Sequence, residues 1–290
     1  MTAGQLFTMK GFINLIKPEG MSSAYAVGAV KKKLRVSCGH MGTLDPMASG
    51  VLPVGVGRAT RLFPYLSDKR KVYRAKFRFG FSTDTLDVTG STEKTAAHIP
   101  DEKEILAVIP EFTGVIKQVP PRYSAKCVNG KRGYQLARRG VDFTLAEKEV
   151  SVYGFELVGR TGEDEYEFLI ECGGGTYIRS LARDLGVRCS SLAVMSALRR
   201  TRSGIFSDND GVGVEEFVNS DAPEKYLIAP ELTLDFPEIA LTESKAKRIL
   251  DGIFDYKVDK DGYYKVFCCR EFWGVGEATE GILRIKTYVR

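Results

Sequence analysis

Three features of the amino-acid sequence predict an α+β fold for this chain. Helix and strand patterns alternate irregularly instead of as repeating βαβ units, two segments show strict period-2 alternation, and the C-terminal stretch reads as short strands. The first helix is expected over residues 23–34, capped by Ser23, with Val27, Val30 and Leu34 at one-face spacing. Val72 to Phe79 alternates Tyr73, Ala75, Phe77 and Phe79 against Arg74, Lys76 and Arg78, the pattern of a half-buried strand. A helix over 101–109 ends at Pro110, because proline cannot continue it. Glu165 to Cys172 repeats the strand pattern, with Tyr166, Phe168, Ile170 and Cys172 opposite Glu165, Glu167 and Glu171. A further helix carries Ile178, Leu181, Ala182 and Leu185 on one face. Ala222 to Pro237 holds three prolines and no sustained period, so it reads as a linker, and the expected domains are 1–236 and 237–290. Beyond it come a short helix over Ser244 to Leu250 and strands separated by turns at Asp261-Gly262 and Gly274 to Gly276.

The bulk composition bounds the class of protein. With 290 residues, 43% of them hydrophobic, the chain can fill a substantial core. It contains no run of 18 apolar residues, and its N-terminus lacks the charged-then-apolar order of a secretory signal, so a cytoplasmic protein is expected. Six scattered cysteines with no C-x-x-C pair fit reduced thiols better than a disulfide framework. His40 and His98 are the only histidines, so a histidine-based metal site is not expected, and His98 reads as a surface residue. A net charge of +5 says little by itself, but 20 of the 42 basic residues fall in three stretches, 61–78, 117–139 and 179–202, that contain only Asp68 and Asp184 as acids. Basic blocks interleaved with Tyr65, Tyr73, Tyr123, Tyr134 and Tyr177 suit a polyanion with exposed bases; three solvated basic faces are the alternative.

The segment with the most unusual chemistry is Gly39 to Thr60, GHMGTLDPMASGVLPVGVGRAT, rich in glycine, with two prolines and a single carboxylate, Asp45. Glycines permit close approach of backbone or ligand, and a carboxylate among apolar neighbours becomes reactive when a cation balances it. Asp-Pro is equally a helix start, with the acid as N-cap and proline at the first position. The residues alone leave both readings open.

The segments IKPEGMSS, GHMGTLDPMASGVLPVGVGRATR, KVYRAKFRFGFSTDTLDVTG, QVPPRYSAKCVNGKRGYQLAR and GGGTYIRSLARDLG, followed by LRRTRSGIF, resemble the ordered motifs of TruB-family pseudouridine synthases. Residues 237–290 resemble, more loosely, the small PUA-like RNA-binding module of bacterial members. Three departures are visible: Ile285 stands between Arg284 and Lys286 where a proline is usual, Cys127 replaces a frequent lysine, and the first motif reads Met21-Ser22-Ser23.

The resemblance implies a mixed, mainly antiparallel central sheet with flanking helices and loops, and a stand-alone, monomeric enzyme. Its reaction is isomerisation of the T-loop uridine of tRNA, position 55, to pseudouridine, with the T-arm as partner and neither cofactor nor metal. Asp45 is then the catalytic carboxylate, either as nucleophile or in removing a ribose proton, and Arg179 the arginine paired with it. Tyr73 stacks on the uracil and assists removal of the C5 proton. His40 fills the gap left when the base is extruded, and Leu198 closes the pocket. Lys17, Lys126, Arg132, Arg199 and Arg202 are candidate phosphate contacts. Two competing readings remain: an RNA-guided synthase subunit of the archaeal and eukaryotic branch, and a non-catalytic tRNA-folding chaperone.

Overall fold

The computed structural model describes residues 9–290 apart from Ser67, Ala125, Asn129, Phe254 and Asp255. Two units form: Met1–Pro46, Gly50–Asp68 and Gly204–Arg290 make the first, Met47–Ser49 and Lys69–Ser203 the second. The first unit opens with strand β1 (Gly11–Lys17), helix α1 (Ser23–Leu34), strand β2 (Cys38–His40) and strand β3 (Ser49–Val56). Antiparallel β1 and β3 pair from Gly11 opposite Val56 to Lys17 opposite Gly50, while β2 lies along the other edge of β3, with His40 opposite Val54. Helix α1 buries Ser23, Ala26, Val30 and Leu34, one stripe at helical spacing. Its cap is Ser22, whose hydroxyl accepts from the Tyr25 amide at 3.2 Å, and not Ser23. Ser23 lies inside the first turn with its hydroxyl turned inward, for a purpose described below.

The second unit is a five-stranded antiparallel sheet. Strand β4 (Lys71–Phe79) is followed by the hairpin β5 (Phe81–Thr83) and β6 (Thr92–Thr95), helix α2 (Glu102–Val108) and strand β7 (Gly114–Gln118). The small hairpin β8 (Cys127–Val128) and β9 (Lys131–Arg132) leads into helix α3 (Gly133–Arg138), then β10 (Lys148–Arg160), β11 (Glu165–Cys172), helix α4 (Ile178–Arg188) and β12 (Ala193–Ser203). The sheet order is β12-β4-β11-β10-β7. Helix α2 is one residue shorter at each end than its pattern predicted: Asp101 is the cap of a capping box with Glu104, and a 3-10 turn over Ile109–Phe112 carries the proline.

The two period-2 strands form neighbours with the expected faces. Phe77 and Phe168 lie 4.7 Å apart, and Phe155 meets both edge-on, as it does Phe112. Each buried ring contributes about 2 kcal/mol of transfer free energy. On the opposite face the cations of β4 meet acids of β11 and its preceding turn: Arg74 with Glu167 at 2.9 Å, Lys76 with Glu165 at 3.4 Å and Arg78 with Asp164 at 2.9 Å.

Residues 204–290 belong to the first unit. Strand β13 (Phe206–Ser207) is followed by β14 (Val212–Gly213), which runs parallel to β1, and by helix α5 (Val214–Asn219). The proline-rich segment after it forms two 3-10 turns and is anchored rather than loose: Phe12 and Ile228 exchange both backbone hydrogen bonds, at 2.9 and 2.7 Å. Strand β15 (Glu238–Leu241), helix α6 (Glu243–Leu250) and strands β16 (Gly262–Cys268), β17 (Glu271–Thr279) and β18 (Ile282–Tyr288) complete the chain as a four-stranded sheet. Its tight turns fall at Cys269-Arg270 and Glu280-Gly281, all with positive φ. Gly274 to Gly276, expected as a turn, lies within β17: a side chain at Gly274 would strike the Thr287 carbonyl, and one at Gly276 would press on Leu283 and Val266. Phe272, Val275 and Val289 share a core with Phe12, Val51, Ala59 and Leu62.

Candidate active site

Asp45 does not cap a helix. Pro46 and Met47 form a turn and β3 begins at Ser49, so the acid sits, half-buried, in a non-helical loop after β2. Both its chain neighbours are tied down. Leu44 is buried, and the inward hydroxyl of Ser23 donates to its carbonyl at 2.8 Å while accepting from its amide at 2.9 Å. On the other side the Pro46 carbonyl accepts from the Gly20 amide at 2.8 Å and from Lys17 Nζ at 3.2 Å. Lys17 is fully buried, and its ammonium also donates to the Pro18 and Met21 carbonyls at 2.8 and 2.6 Å. This corrects its expected role as a phosphate contact: the charge is turned to backbone carbonyls inside the unit, where it braces the Asp45 loop. His40 is half-buried at the end of β2, in the same unit as Asp45 and Lys17.

Tyr73, Arg179 and Leu198 lie in the second unit. Tyr73 is buried on the apolar face of β4, and Leu198 of β12 pairs with Ala75 on that face. Arg179 sits in the first turn of α4, which packs against β12 and β4. Its guanidinium donates to the Thr85 carbonyl at 2.9 Å and the Tyr123 carbonyl at 3.0 Å, and lies 3.6 Å from Asp87 Oδ2, with both side chains of the ion pair about 7% exposed. Asp87 is held in turn: its Oδ1 accepts from the Thr85 hydroxyl at 2.8 Å and from the Thr89 amide and hydroxyl at 3.0 and 2.5 Å. Gln118 fixes the entry to α4 by bonding the backbone of Tyr177 in both directions, at 3.1 and 2.8 Å.

Sequence reasoning assigned no role to Asp87 or Gln118. The density of Thr, Asp and Ser in STDTLDVTGS was a usable sign of a side-chain-bonded turn, but nothing local connected it to an arginine 92 residues later.

The basic stretches separate once their partners are known. In 61–78, Arg70, Arg74, Lys76 and Arg78 face carboxylates; in 179–202, Arg179, Arg183, Arg188 and Arg202 do so. The latter pairs include Arg202 with Glu171 at 2.6 Å and Arg183 with its chain neighbour Asp184 at 2.7 Å. Arg199 is exposed on β12. In 117–139, Lys117, Lys131, Arg138 and Arg139 are exposed, with the Arg138 guanidinium 5.8 Å from the ring centre of the exposed Tyr134. Lys126 is half-buried, its ammonium 3.5 Å from the Ala146 carbonyl, and the Arg132 side chain lies outside the described residues.

Burial pushes the thiols of Cys38, Cys172 and Cys189 up to about 11, and lowers the Lys71 ammonium, with the nearby Arg200 charge acting in the same direction. All six cysteines are free thiols. Among the described residues no cluster of three His, Cys, Asp or Glu is arranged to hold a metal, and no helix is long and apolar enough to cross a membrane.

Residues 30–178 match the TruB family pseudouridylate synthase N-terminal domain, and residues 179–229 the tRNA pseudouridylate synthase B C-terminal domain. The chain is similar to the tRNA pseudouridine synthase B of Clostridium kluyveri, 39% identical over 278 residues that cover 92% of this chain and 95% of that protein. It is similar to the Aquifex aeolicus protein of the same name, 37% identical over 283 residues, covering 96% and 99%. Among solved structures, a chain of a Cbf5-Nop10-Gar1 complex superposes with a TM-score of 0.71 at 26% identity, over 99% of this chain and 87% of that one. A chain of an H/ACA RNP bound to a substrate RNA containing 2'-deoxyuridine gives the same score at 24% identity, covering 100% and 88%, a likeness of fold. With a family domain matched over more than half of its length and relatives near 40% identity along nearly all of it, this chain belongs to the TruB family of pseudouridylate synthases.

Proposed function

We propose that the chain is a stand-alone tRNA pseudouridine synthase that isomerises the T-loop uridine at position 55. The observation that carries the reading is the bracing of Asp45. A half-buried acid in a glycine-rich loop has both chain neighbours hydrogen-bonded to α1, to the end of β1 and to the turn after it. Such rigidity suits a group that must meet one atom of a substrate within a few tenths of an ångström.

The reaction breaks the bond from C1′ to N1, turns the uracil and joins C1′ to C5; the C5 proton is lost and N1 gains one. No electrons or outside groups enter, so carboxylate, cation and phenol suffice. Asp45 begins it as nucleophile or by taking a ribose proton. Arg179 supplies the balancing positive charge, its own position fixed by Asp87 and the Thr85 and Tyr123 carbonyls. Tyr73 stacks on the extruded uracil and assists C5 deprotonation, Leu198 covers the base, and His40 takes the space it leaves, which offsets part of an extrusion cost of a few kcal/mol. The exposed cations of 117–139 and Arg199 contact the RNA backbone, together with Lys126 and Arg132, and residues 237–290 form an RNA-binding module. The protein works as a monomer in the cytoplasm.

One experiment tests the reading: purified protein and bare tRNA transcript, without guide RNA, with pseudouridine mapped chemically. The T-loop uridine is expected to be converted, and Asp45→Asn to abolish conversion. A requirement for guide RNA would favour the RNA-guided reading. Full activity of Asp45→Asn would end the assignment of the acid.

A further inference from the structure

The turn between β16 and β17 holds two cysteines side by side, and neither takes part in the chemistry proposed above. Cys268 ends β16 and pairs with Glu271, so Cys269 and Arg270 are the two central residues of a tight hairpin turn. Both have positive φ, 53° and 64°, as a type I′ turn requires. Asparagine and glycine suit those positions; a cysteine and an arginine adopt them against their own preference.

The turn changes where the second sulfur points. Along a strand, neighbouring side chains leave on opposite faces. Here the left-handed residue brings its side chain back, and the Cys268 thiol donates to the Cys269 sulfur at 3.7 Å. Both are free thiols; Cys268 is buried and shares a core with Ala246, Ile249 and Trp273, whereas Cys269 is exposed. One sulfur is thus anchored and the other is reachable from solvent. Burial is the main reason that Cys268 holds its proton; the outside charges acting on it are Glu243 of α6 and Arg290, of opposite sign. The other four cysteines stand singly in the sequence.

Two sulfurs can be joined directly or through a third atom, and the geometry separates the two cases. Adjacent Cα atoms lie about 3.8 Å apart, short of the roughly 4.4–6.8 Å that disulfides span. A direct bond would also draw the sulfurs together to about 2 Å. An inserted atom asks for no such movement: two thiolates bound to one tetrahedral centre at about 2.3 Å stand about 3.8 Å apart. A zinc ion needs two more ligands, and among the described residues no third His, Cys, Asp or Glu is arranged with this pair. Trivalent arsenic needs only one more, which hydroxide or an organic group provides.

We propose that Cys268 and Cys269 form a two-sulfur chelating site for trivalent arsenic, as arsenite or an organic arsenoxide. Cys269 reacts first: its sulfur forms an As–S bond and displaces a hydroxide, which leaves as water with the thiol proton. Cys268, held 3.7 Å away, forms the second As–S bond and releases a second water in the same way. Arsenic stays trivalent, so no oxidant or reductant enters. The site is independent of the role of Asp45.

The test uses reduced full-length protein with phenylarsine oxide as the probe, followed by iodoacetamide and tryptic mass spectrometry. One equivalent is expected to bind. The peptide Val266–Arg270, which carries both sulfurs, should exchange two hydrogens for one phenylarsenic group and gain no alkyl group. Excess 2-mercaptoethanol should leave the adduct in place, and 2,3-dimercaptopropanol should remove it. Cys269→Asn suits the left-handed backbone at an exposed position and should leave the fold intact. It should weaken binding by about 100-fold or more, because the second bond is no longer formed within one molecule. The isolated peptide should bind about 10-fold more weakly than the folded protein, since its turn is not held. An adduct on Cys38, Cys127, Cys172 or Cys189, or an alkylated Cys268 beside an arsenic-bearing Cys269, would overturn the proposal. So would undiminished binding by Cys269→Asn, or equal affinity of peptide and protein.

Discussion

Adjacent serines at the start of α1 are expected to behave very differently when truncated. Ser22 caps the helix through one exposed hydrogen bond, whereas Ser23 makes two buried ones to the amide and carbonyl of Leu44. Ser22→Ala loses a cap worth about 1 kcal/mol. Ser23→Ala leaves a buried donor and a buried acceptor without their partner, each at about 1–3 kcal/mol, so about 3 kcal/mol in all after local relaxation. Leu44 immediately precedes Asp45, so the second loss should also loosen the acid; a shift near 1 Å costs about 100-fold in rate. The assay pairs urea unfolding followed by circular dichroism with single-turnover pseudouridine formation on tRNA transcript, and with a filter-binding measurement of RNA affinity. Ser23→Ala should lose stability and rate with affinity unchanged, and Ser22→Ala should lose only a little stability. Equal, small effects of the two substitutions on both stability and rate would refute the idea that Ser23 braces the Asp45 loop.

Other expectations follow from the same geometry. Asp87→Asn removes the charge facing Arg179 and should cost about 2–3 kcal/mol of stability and slow catalysis at least 10-fold, read by the same two assays; wild-type behaviour would mean that the carbonyls of Thr85 and Tyr123 hold the arginine unaided. Alkylation by iodoacetamide near pH 8, followed by mass spectrometry, should modify exposed Cys127 and Cys269 first, with Cys172 and Cys189 protected by burial and by thiols raised to about 11; early labelling of Cys172 would contradict its placement. The hydrogen bond from Arg74 is the main cause holding Glu167 below its ordinary value of 4.5. A carboxylate lowered in this way contributes stability above that ordinary value and loses it as pH falls through the folded one. The urea midpoint should therefore be flat above about pH 5 and drop below about pH 4, less steeply in Glu167→Gln; identical acid limbs would remove this pair from the account.

What could be read from the sequence was mainly what repeats locally. The alternation in 72–79 and 165–172 named the buried faces of β4 and β11 residue by residue, and the stripe on α4 was visible in the same way. Ser23 was mistaken for the cap because two serines in a row offer the same hydroxyl, and only the tertiary position of Leu44 separates them. Asp-Pro suggested a helix start; the chain instead turns at Pro46–Met47 into β3, a choice made by the pairing of β1 with β3. Gly274 and Gly276 looked like a turn because glycine in sequence does not distinguish a reversal from the close approach of a neighbouring strand. Lys17 looked like a phosphate ligand for a related reason: its charge is visible in sequence, but the three carbonyls that take it up are not.

The cross-strand ladder of Arg74, Lys76 and Arg78 with Glu167, Glu165 and Asp164 bears on how a polyanion would find this protein. Paired charges a few ångströms apart cancel within a Debye length of about 8 Å at physiological salt, so that sheet face would exert little pull on an approaching phosphate backbone. The long-range attraction is left to exposed cations outside that ladder, chiefly Lys117, Lys131, Arg138 and Arg139. Diffusional capture of RNA would then be directional: encounters on the ladder face should be brief, and those reaching the hairpin and α3 prolonged.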